Sequence, residues 1–254
     1  MPQTWTAAGY ERHGRFVADL AGDVLAMLDA RAEDHILDLG CGDGALTQRI
    51  RNTGAIVMGI DSSPELLQSA RDKGLNVILC SGERLTFSSE YDAVFSNAAL
   101  HWMLDQDAVL RGVRTALRPN GRFVAEMGGH GNIAAIRAAL TVALEPFGVS
   151  AEGTGANVFF TAAEYTELLE RHGFGVDVIE LVARPTALPT GIDGWLRTFR
   201  RSSLDRLTDD ERDAVITRVT DLLRPILCDR SGQWFADYVR LRFRAFALQN
   251  EAKA

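Results

Sequence analysis

The segment Asp38-Leu39-Gly40-Cys41-Gly42-Asp43-Gly44 ends a short apolar run, His35 to Leu39, and opens a helix-like stretch from Ala45 to Asn52. Glycines at the junction of a strand and a helix lack Cβ and tolerate positive φ, so backbone amides there can approach a bound ligand closely. A second chemical group follows in Asp61, at the end of the next apolar run, Ala55 to Ile60. A carboxylate placed there can accept hydrogen bonds from both hydroxyls of an adenine-nucleoside ribose. Alternatively Asp61 only caps the next helix, a task that Ser62 or Ser63 could also perform.

Both features fit a dinucleotide as well as an adenosyl sulfonium, and the glycine spacing discriminates between them. A dinucleotide fingerprint spaces its glycines G-x-G-x-x-G so that a helix N-terminus faces pyrophosphate. Here they fall at 40, 42 and 44, and Ala45 holds the next position. Asp38 and Asp43 add negative charge beside the turn, which repels pyrophosphate and suits a sulfonium with an α-ammonium group. The pattern therefore points to S-adenosylmethionine.

These residues need a frame. Beyond the first two strands, Asn76 to Cys80, Tyr91 to Ser96 and Arg122 to Met127 read as further buried strands. Helical stretches alternate with them: Leu66 to Lys73 behind the cap Ser63 and Pro64, and Gln106 to Leu117. Such alternation predicts an α/β fold, a Rossmann-like doubly wound parallel sheet, with ligands at the carboxyl ends of the strands. By that rule the candidate cofactor contacts are Asp38, Gly40, Cys41 and Gly42, then Asp61 and Ser62, then Ser81, Gly82 and Glu83, then Asn97, Ala98 and Trp102. Later segments predict helices over 133–147 and 161–172, a sixth strand over 176–182, helices over 191–204 and 208–227, and a last strand in 234–246.

The expected organisation is a single domain over 1–254: a lid helix in 1–30, a cofactor core in 31–131, substrate-side helices with the sixth strand in 132–233, and a last strand in 234–247. A net charge of −7 argues against nucleic acid as a partner. No stretch has the length and apolarity of a membrane span, and the first eight residues lack a secretory pattern. The three cysteines have no metal-type spacing and suit a reducing compartment, so a cytoplasmic protein without a metal site is expected.

Four motifs in order, Ile36 to Gly44, Gly59-Ile60-Asp61-Ser62-Ser63, Tyr91 to Asn97 and Leu117 to Phe123, resemble the class I S-adenosylmethionine-dependent methyltransferases. The resemblance implies a sheet of seven strands with a reversed last strand, helical lid insertions, and S-adenosylhomocysteine as product. Within that class, Ser96-Asn97-Ala98-Ala99-Leu100-His101-Trp102 is similar to the trans-aconitate and malonyl-carrier-protein methyltransferases. Both groups methylate a carboxylate, which implies a small-molecule acid as acceptor. The family usually has an acidic residue after the third strand to accept from the adenine amino group; here Ser81 stands there, with Glu83 nearby.

A carboxylate nucleophile needs no base, whereas a phenol, amine or carbon acceptor does. His101, His13 and Tyr10 are the candidates: His101 follows the fourth strand, and Tyr10 and His13 share a face of the first helix with Phe16. Gly128-Gly129-His130-Gly131-Asn132 can bring backbone close to an acceptor. For an acid, an arginine partner is expected among Arg137, Arg197 and Arg200. Three alternatives stay open: methyl transfer assisted by a histidine base, a dinucleotide-dependent oxidoreductase, and a non-catalytic S-adenosylmethionine-binding protein.

Overall fold

The computed structural model describes residues 21–151 and 157–249. Tyr10, His13, Phe16 and most of the expected lid helix lie outside the described residues; the described part of that helix is α1, Gly22–Leu28. Five strands follow with helices between them: β1 (His35–Leu39), α2 (Ala45–Arg51), β2 (Ile56–Asp61), α3 (Pro64–Asp72), β3 (Val77–Leu79), β4 (Tyr91–Asn97), α4 (Gln106–Ala116) and β5 (Leu117–Gly128). Next come α5 (Ala134–Leu144), α6 (Ala162–Arg171), β6 (Phe174–Leu188), α7 (Gly191–Phe199), α8 (Arg201–Leu204), α9 (Asp209–Leu227) and β7 (Trp234–Ala247). The sheet order is β3-β2-β1-β4-β5-β7-β6, with β7 antiparallel to both its neighbours. This is the seven-stranded Rossmann-like sheet with a reversed last strand.

Successive side chains of a strand point to opposite faces, and the central strands are apolar on both. Leu37, Val94 and Phe123 pack under α4 and α6, while Ile36, Phe95 and Val124 pack under α1 and α2. Burial on both faces explains why these strands read as continuous apolar runs. The local stop signals also work as the chemistry predicts. Ser63 accepts from Leu66 N at the start of α3, and Thr161 with Glu164 forms a reciprocal capping box on α6.

Three elements depart from the sequence reading. β6 extends to Leu188 because β7 offers a partner as far as Trp234, and Pro185 is tolerated since β6 is an edge strand. β5 starts at Leu117 rather than Arg122, with an excursion over 118–121 inside it: pairing with β4 jumps from Tyr91↔Leu117 to Ala93↔Arg122. The helix expected over 191–204 breaks at Arg200, whose φ of −124° separates α7 from α8.

β7 leaves β5 at the pair Gly128↔Arg240, and beyond it β6 and β7 continue as a two-stranded ribbon. Ala236 and Tyr238 of that ribbon share a separate apolar cluster with Ile136 and Leu140 of α5, Trp195 and Leu196 of α7, and Val219 and Leu223 of α9. The late helices thus cap the carboxyl ends of the strands. No helix among the described residues is long and apolar enough to cross a membrane.

Glu126 joins the strands that carry this ribbon. It is buried, and its carboxylate accepts from Arg184 of β6 at 2.6 Å and from Arg242 of β7 at 2.9 Å; Arg242 also reaches Asp23 on α1 at 3.1 Å. Removing one partner of such a network leaves buried charge uncompensated. Glu126→Ala should therefore cost roughly 3–5 kcal/mol of unfolding free energy, measured by urea denaturation; a loss below about 1 kcal/mol would contradict this account of the network.

Candidate functional site

The carboxyl ends of β1, β2, β4 and β5 open into a cavity of about 330 Å³ beneath the cap. The turn after β1 forms one wall. Gly40 has φ +77°, and a Cβ there would lie 2.2 Å from the Ala99 Cβ, so only glycine lets the β1 and β4 ends come together. Gly40 N and Cys41 N both donate to Ile60 O, at 2.8 and 2.9 Å, which ties the turn to β2.

Asp61, at the end of β2, accepts from Gly42 N at 2.9 Å through Oδ2 and from Ser63 N at 2.8 Å through Oδ1. Each carboxylate oxygen can accept more than one hydrogen bond, and Asp61 lines the cavity. Burial raises its pKa, offset in part by these backbone donors. Around it stand Gly40, Gly42, Ser62, Ser81, Gly82, Glu83, Asn97, Ala98 and Trp102, so the structure brings most of the predicted contacts to one cavity. Ser81 accepts from Glu83 N at 3.3 Å, and Glu83 Oε1 accepts from Asp105 N at 3.0 Å.

Asp38 and Cys41 depart from this picture. Asp38 is buried behind the turn, outside the cavity wall, and accepts from Thr47 Oγ1 at 2.6 Å; burial pushes its pKa up to about 7. Cys41 faces Gly59 of β2 beneath the turn, and burial raises its thiol far above the ordinary range. Asp43 is paired with Lys73 at 2.7 Å and is likewise outside the wall. The charge argument made from Asp38 and Asp43 is corrected accordingly: the carboxylates of the cavity wall are Asp61 and Glu83.

The opposite half of the cavity is cationic. Arg240 of β7 and Arg200 at the α7–α8 break are each only 7% exposed and line it. Arg240 lies over the Tyr238 ring at 4.4 Å and Arg200 over Trp195 at 5.4 Å, and Trp195 Nε1 donates to Tyr238 Oη at 2.6 Å. Among the described residues the hydrogen bonds of the Arg200 guanidinium go to neutral acceptors, Phe199 O at 3.1 Å and Asn157 Oδ1 at 3.4 Å. Among the described residues the Arg240 guanidinium makes no hydrogen bond or ion pair, since nearby Glu126 is already engaged by Arg184 and Arg242. Burial lowers the pKa of both arginines, that of Arg200 to about 10. Both remain cations near neutral pH. Asn157 Nδ2 is buried and has no hydrogen-bond partner among the described residues.

His101 sits between the halves, on the 3-10 turn Leu100–Trp102, 6% exposed and flanked by the rings of Trp102 and Phe159. Gly128 N donates to its Nδ1 at 3.1 Å. Burial, and then the charges of Arg240 and Arg200, hold its pKa well below the usual histidine value. A base must offer a free lone pair and then carry the proton, and neither condition holds here. This arrangement disfavours the expected role of His101 as a base.

Of the expected arginines, Arg200 lines this cavity, whereas Arg137 lies over Phe159 in an adjoining one. Arg197 is a surface residue paired with Asp193 and Asp213. Arg240 was missed, as were Tyr238, Trp195 and Asn157. A signal existed: Arg240, Arg242 and Arg244 alternate along a strand otherwise apolar, and a buried strand does not carry cations without partners or a task.

A parallel sheet with a reversed strand, a glycine turn and a carboxylate after β2 define a nucleoside-binding α/β protein, and known proteins specify the kind. A methyltransferase domain family matches residues 37–125. An uncharacterised methyltransferase of Schizosaccharomyces pombe is 38% identical over 96% of this chain and 99% of its own length. The trans-aconitate 2-methyltransferase of Deinococcus radiodurans is 31% identical over 79% of this chain and 81% of its own length. An S-adenosylmethionine-dependent methyltransferase from Mesorhizobium loti shares the fold, with a TM-score of 0.56 at 21% identity over 90% of this chain and 99% of that one. This chain belongs to the S-adenosylmethionine-dependent methyltransferases, and its cofactor is S-adenosylmethionine. The oxidoreductase and non-catalytic alternatives fall away.

Asp38 gives a test of the buried turn. Its native pKa of about 7 lies above the ordinary 3.8, so the folded state holds a proton that the unfolded chain releases. The resulting stability is present at low pH and is lost as pH rises through about 7. Without cofactor, the wild-type unfolding free energy should fall relative to Asp38→Asn by roughly 1–4 kcal/mol between about pH 4 and pH 7.5. Parallel pH dependences in the two proteins would contradict a buried neutral acid.

Proposed function

We propose that this enzyme transfers the methyl group of S-adenosylmethionine to a carboxylate oxygen of a small organic acid. The carrying observation is the pair of buried guanidinium groups, Arg240 and Arg200, facing the cavity with no carboxylate bound to either among the described residues. A buried cation without a counter-charge is costly, and an acidic ligand compensates it with charge-assisted, potentially bidentate hydrogen bonds. The aromatic supports Tyr238 and Trp195 fix the planes of the two guanidiniums before the ligand arrives.

In the other half, Asp61 would accept from the ribose hydroxyls, and Ser81 and Glu83 would meet the adenine edge. The turn Gly40–Gly42 and the stretch Asn97–Ala98 would hold the amino-acid portion. When bound, S-adenosylmethionine would supply an electrophilic methyl carbon to a carboxylate oxygen, the methyl–sulfur bond breaking as the new C–O bond forms, to leave a methyl ester and S-adenosylhomocysteine. No proton is removed, so a site without a base suffices; orientation and exclusion of water supply the rate.

The relatives named for trans-aconitate make that tricarboxylic acid the first acceptor to try. Incubation with methyl-labelled cofactor and a panel of carboxylic acids, phenols and amines should place label in a base-labile ester of an acid. Label entering only phenols or amines would sink the proposal. Arg240→Met should leave S-adenosylhomocysteine affinity nearly unchanged while raising KM for the acid by at least about 30-fold; equal losses in both would argue against Arg240 as the acid's partner. Asp61→Asn should weaken S-adenosylhomocysteine binding by roughly 1.5–3 kcal/mol by calorimetry, and a folded variant with unchanged affinity would remove Asp61 from the ribose site.

A further inference from the structure

His101 is held in one protonation state by the backbone. β5 runs two residues past its last pairing with β4, Asn97↔Glu126, so the N–H of Gly128 has no strand acceptor on that side. The imidazole of His101 fills the gap, with Nδ1 3.1 Å from Gly128 N. An amide N–H only donates, so Nδ1 must present its lone pair, and the proton of the neutral ring resides on Nε2. Protonating the ring would set Nδ1–H against Gly128 N–H in a buried place. The charged groups bearing on the ring, Arg240 from β7 and Arg200 from the α7–α8 break, are both cations and oppose protonation again. Nε2 has no partner among the described residues, and the ring lines the cavity beside both arginines.

We propose that His101 is a fixed neutral donor, which presents Nε2–H to the carboxylate held by Arg240 and Arg200 and takes no proton during the reaction. The identity of that ligand rests on the acid-acceptor reading; the tautomer does not. With the unpartnered Asn157 Nδ2, the acceptor half then offers guanidinium, imidazole and amide donors. Such a lining favours an acceptor that arrives already ionised. A donor on one carboxylate oxygen also fixes the carboxylate plane and leaves the other oxygen to face the methyl carbon.

The full-length protein labelled with nitrogen-15 at histidine separates these claims. The chain has five histidines, and the resonance missing from His101→Gln identifies His101. That resonance should show the Nε2–H tautomer, unchanged from about pH 5.5 to 8.5. Its Nε2–H signal should move when trans-aconitate is added to the S-adenosylhomocysteine complex. An Nδ1–H tautomer, or titration to imidazolium within that range, would overturn the proposal whatever the substrate proves to be.

Kinetics provide the second arm. Glutamine keeps a donor near the Nε2 position, and asparagine keeps only a group near Nδ1. His101→Gln should therefore retain at least about ten times the kcat/KM of His101→Asn toward the best acid, in keeping with a hydrogen bond to a charged group. The pH profile of the wild type should be flat from about pH 7 to 9. Equal loss in both variants, together with an ascending limb that each abolishes, would restore the base and refute the donor. A fixed Nε2–H tautomer in an enzyme that methylates no acid would instead refute only the acceptor assignment.

Discussion

Backbone amides in the turns, at the helix starts, at the end of β5 and along β7 where it parts from β5 have no ladder to donate to, and this site is built from the side chains that receive them. Asp61 takes the amides of Gly42 and Ser63, His101 takes that of Gly128, Asn132 takes that of Val239, and Asp237 takes that of Ala135. Each bond satisfies a donor that would otherwise be costly to bury. Each also fixes the rotamer of a polar residue at or beside the cavity. The polar geometry of the cleft is thus a by-product of closing the sheet's accounts, held as firmly as the strands themselves.

The cofactor half was legible in the sequence because its signals are local. A glycine turn, an acid after the second strand and the strand-end rule depend on neighbours within a few positions, and Gly40, Asp61, Ser81 and Asn97 all reach the cavity. What failed there was direction. Asp38 and Asp43 are close in sequence to the right place, yet one is buried under Thr47 and the other is neutralised by Lys73, contacts that no spacing announces.

The half proposed for the acceptor was less legible because its members meet only through long-range pairing. Arg240 enters by its register opposite Gly128, Arg200 by a helix break that continuous amphipathic spacing does not reveal, and Asn157 from a stretch without regular structure. His101 was found by position, but nothing beside it in sequence announces the bond that engages its Nδ1. The decisive partner, Gly128 N, is 27 residues away along the chain, and only the ends of β4 and β5 bring the two together.

The point where β7 parts from β5 divides the molecule by more than topology. On one side lie strand ends whose glycines and carboxylates are constrained by packing between β1, β2 and β4; on the other lie a ribbon and cap with an apolar core of their own. On the proposed assignment, exchanging residues of the ribbon and cap would alter what is methylated while the source of the methyl group stays in place. Inheritance can act on the two halves at different rates, and a shared cofactor site carries little information about the acceptor a given descendant has come to use.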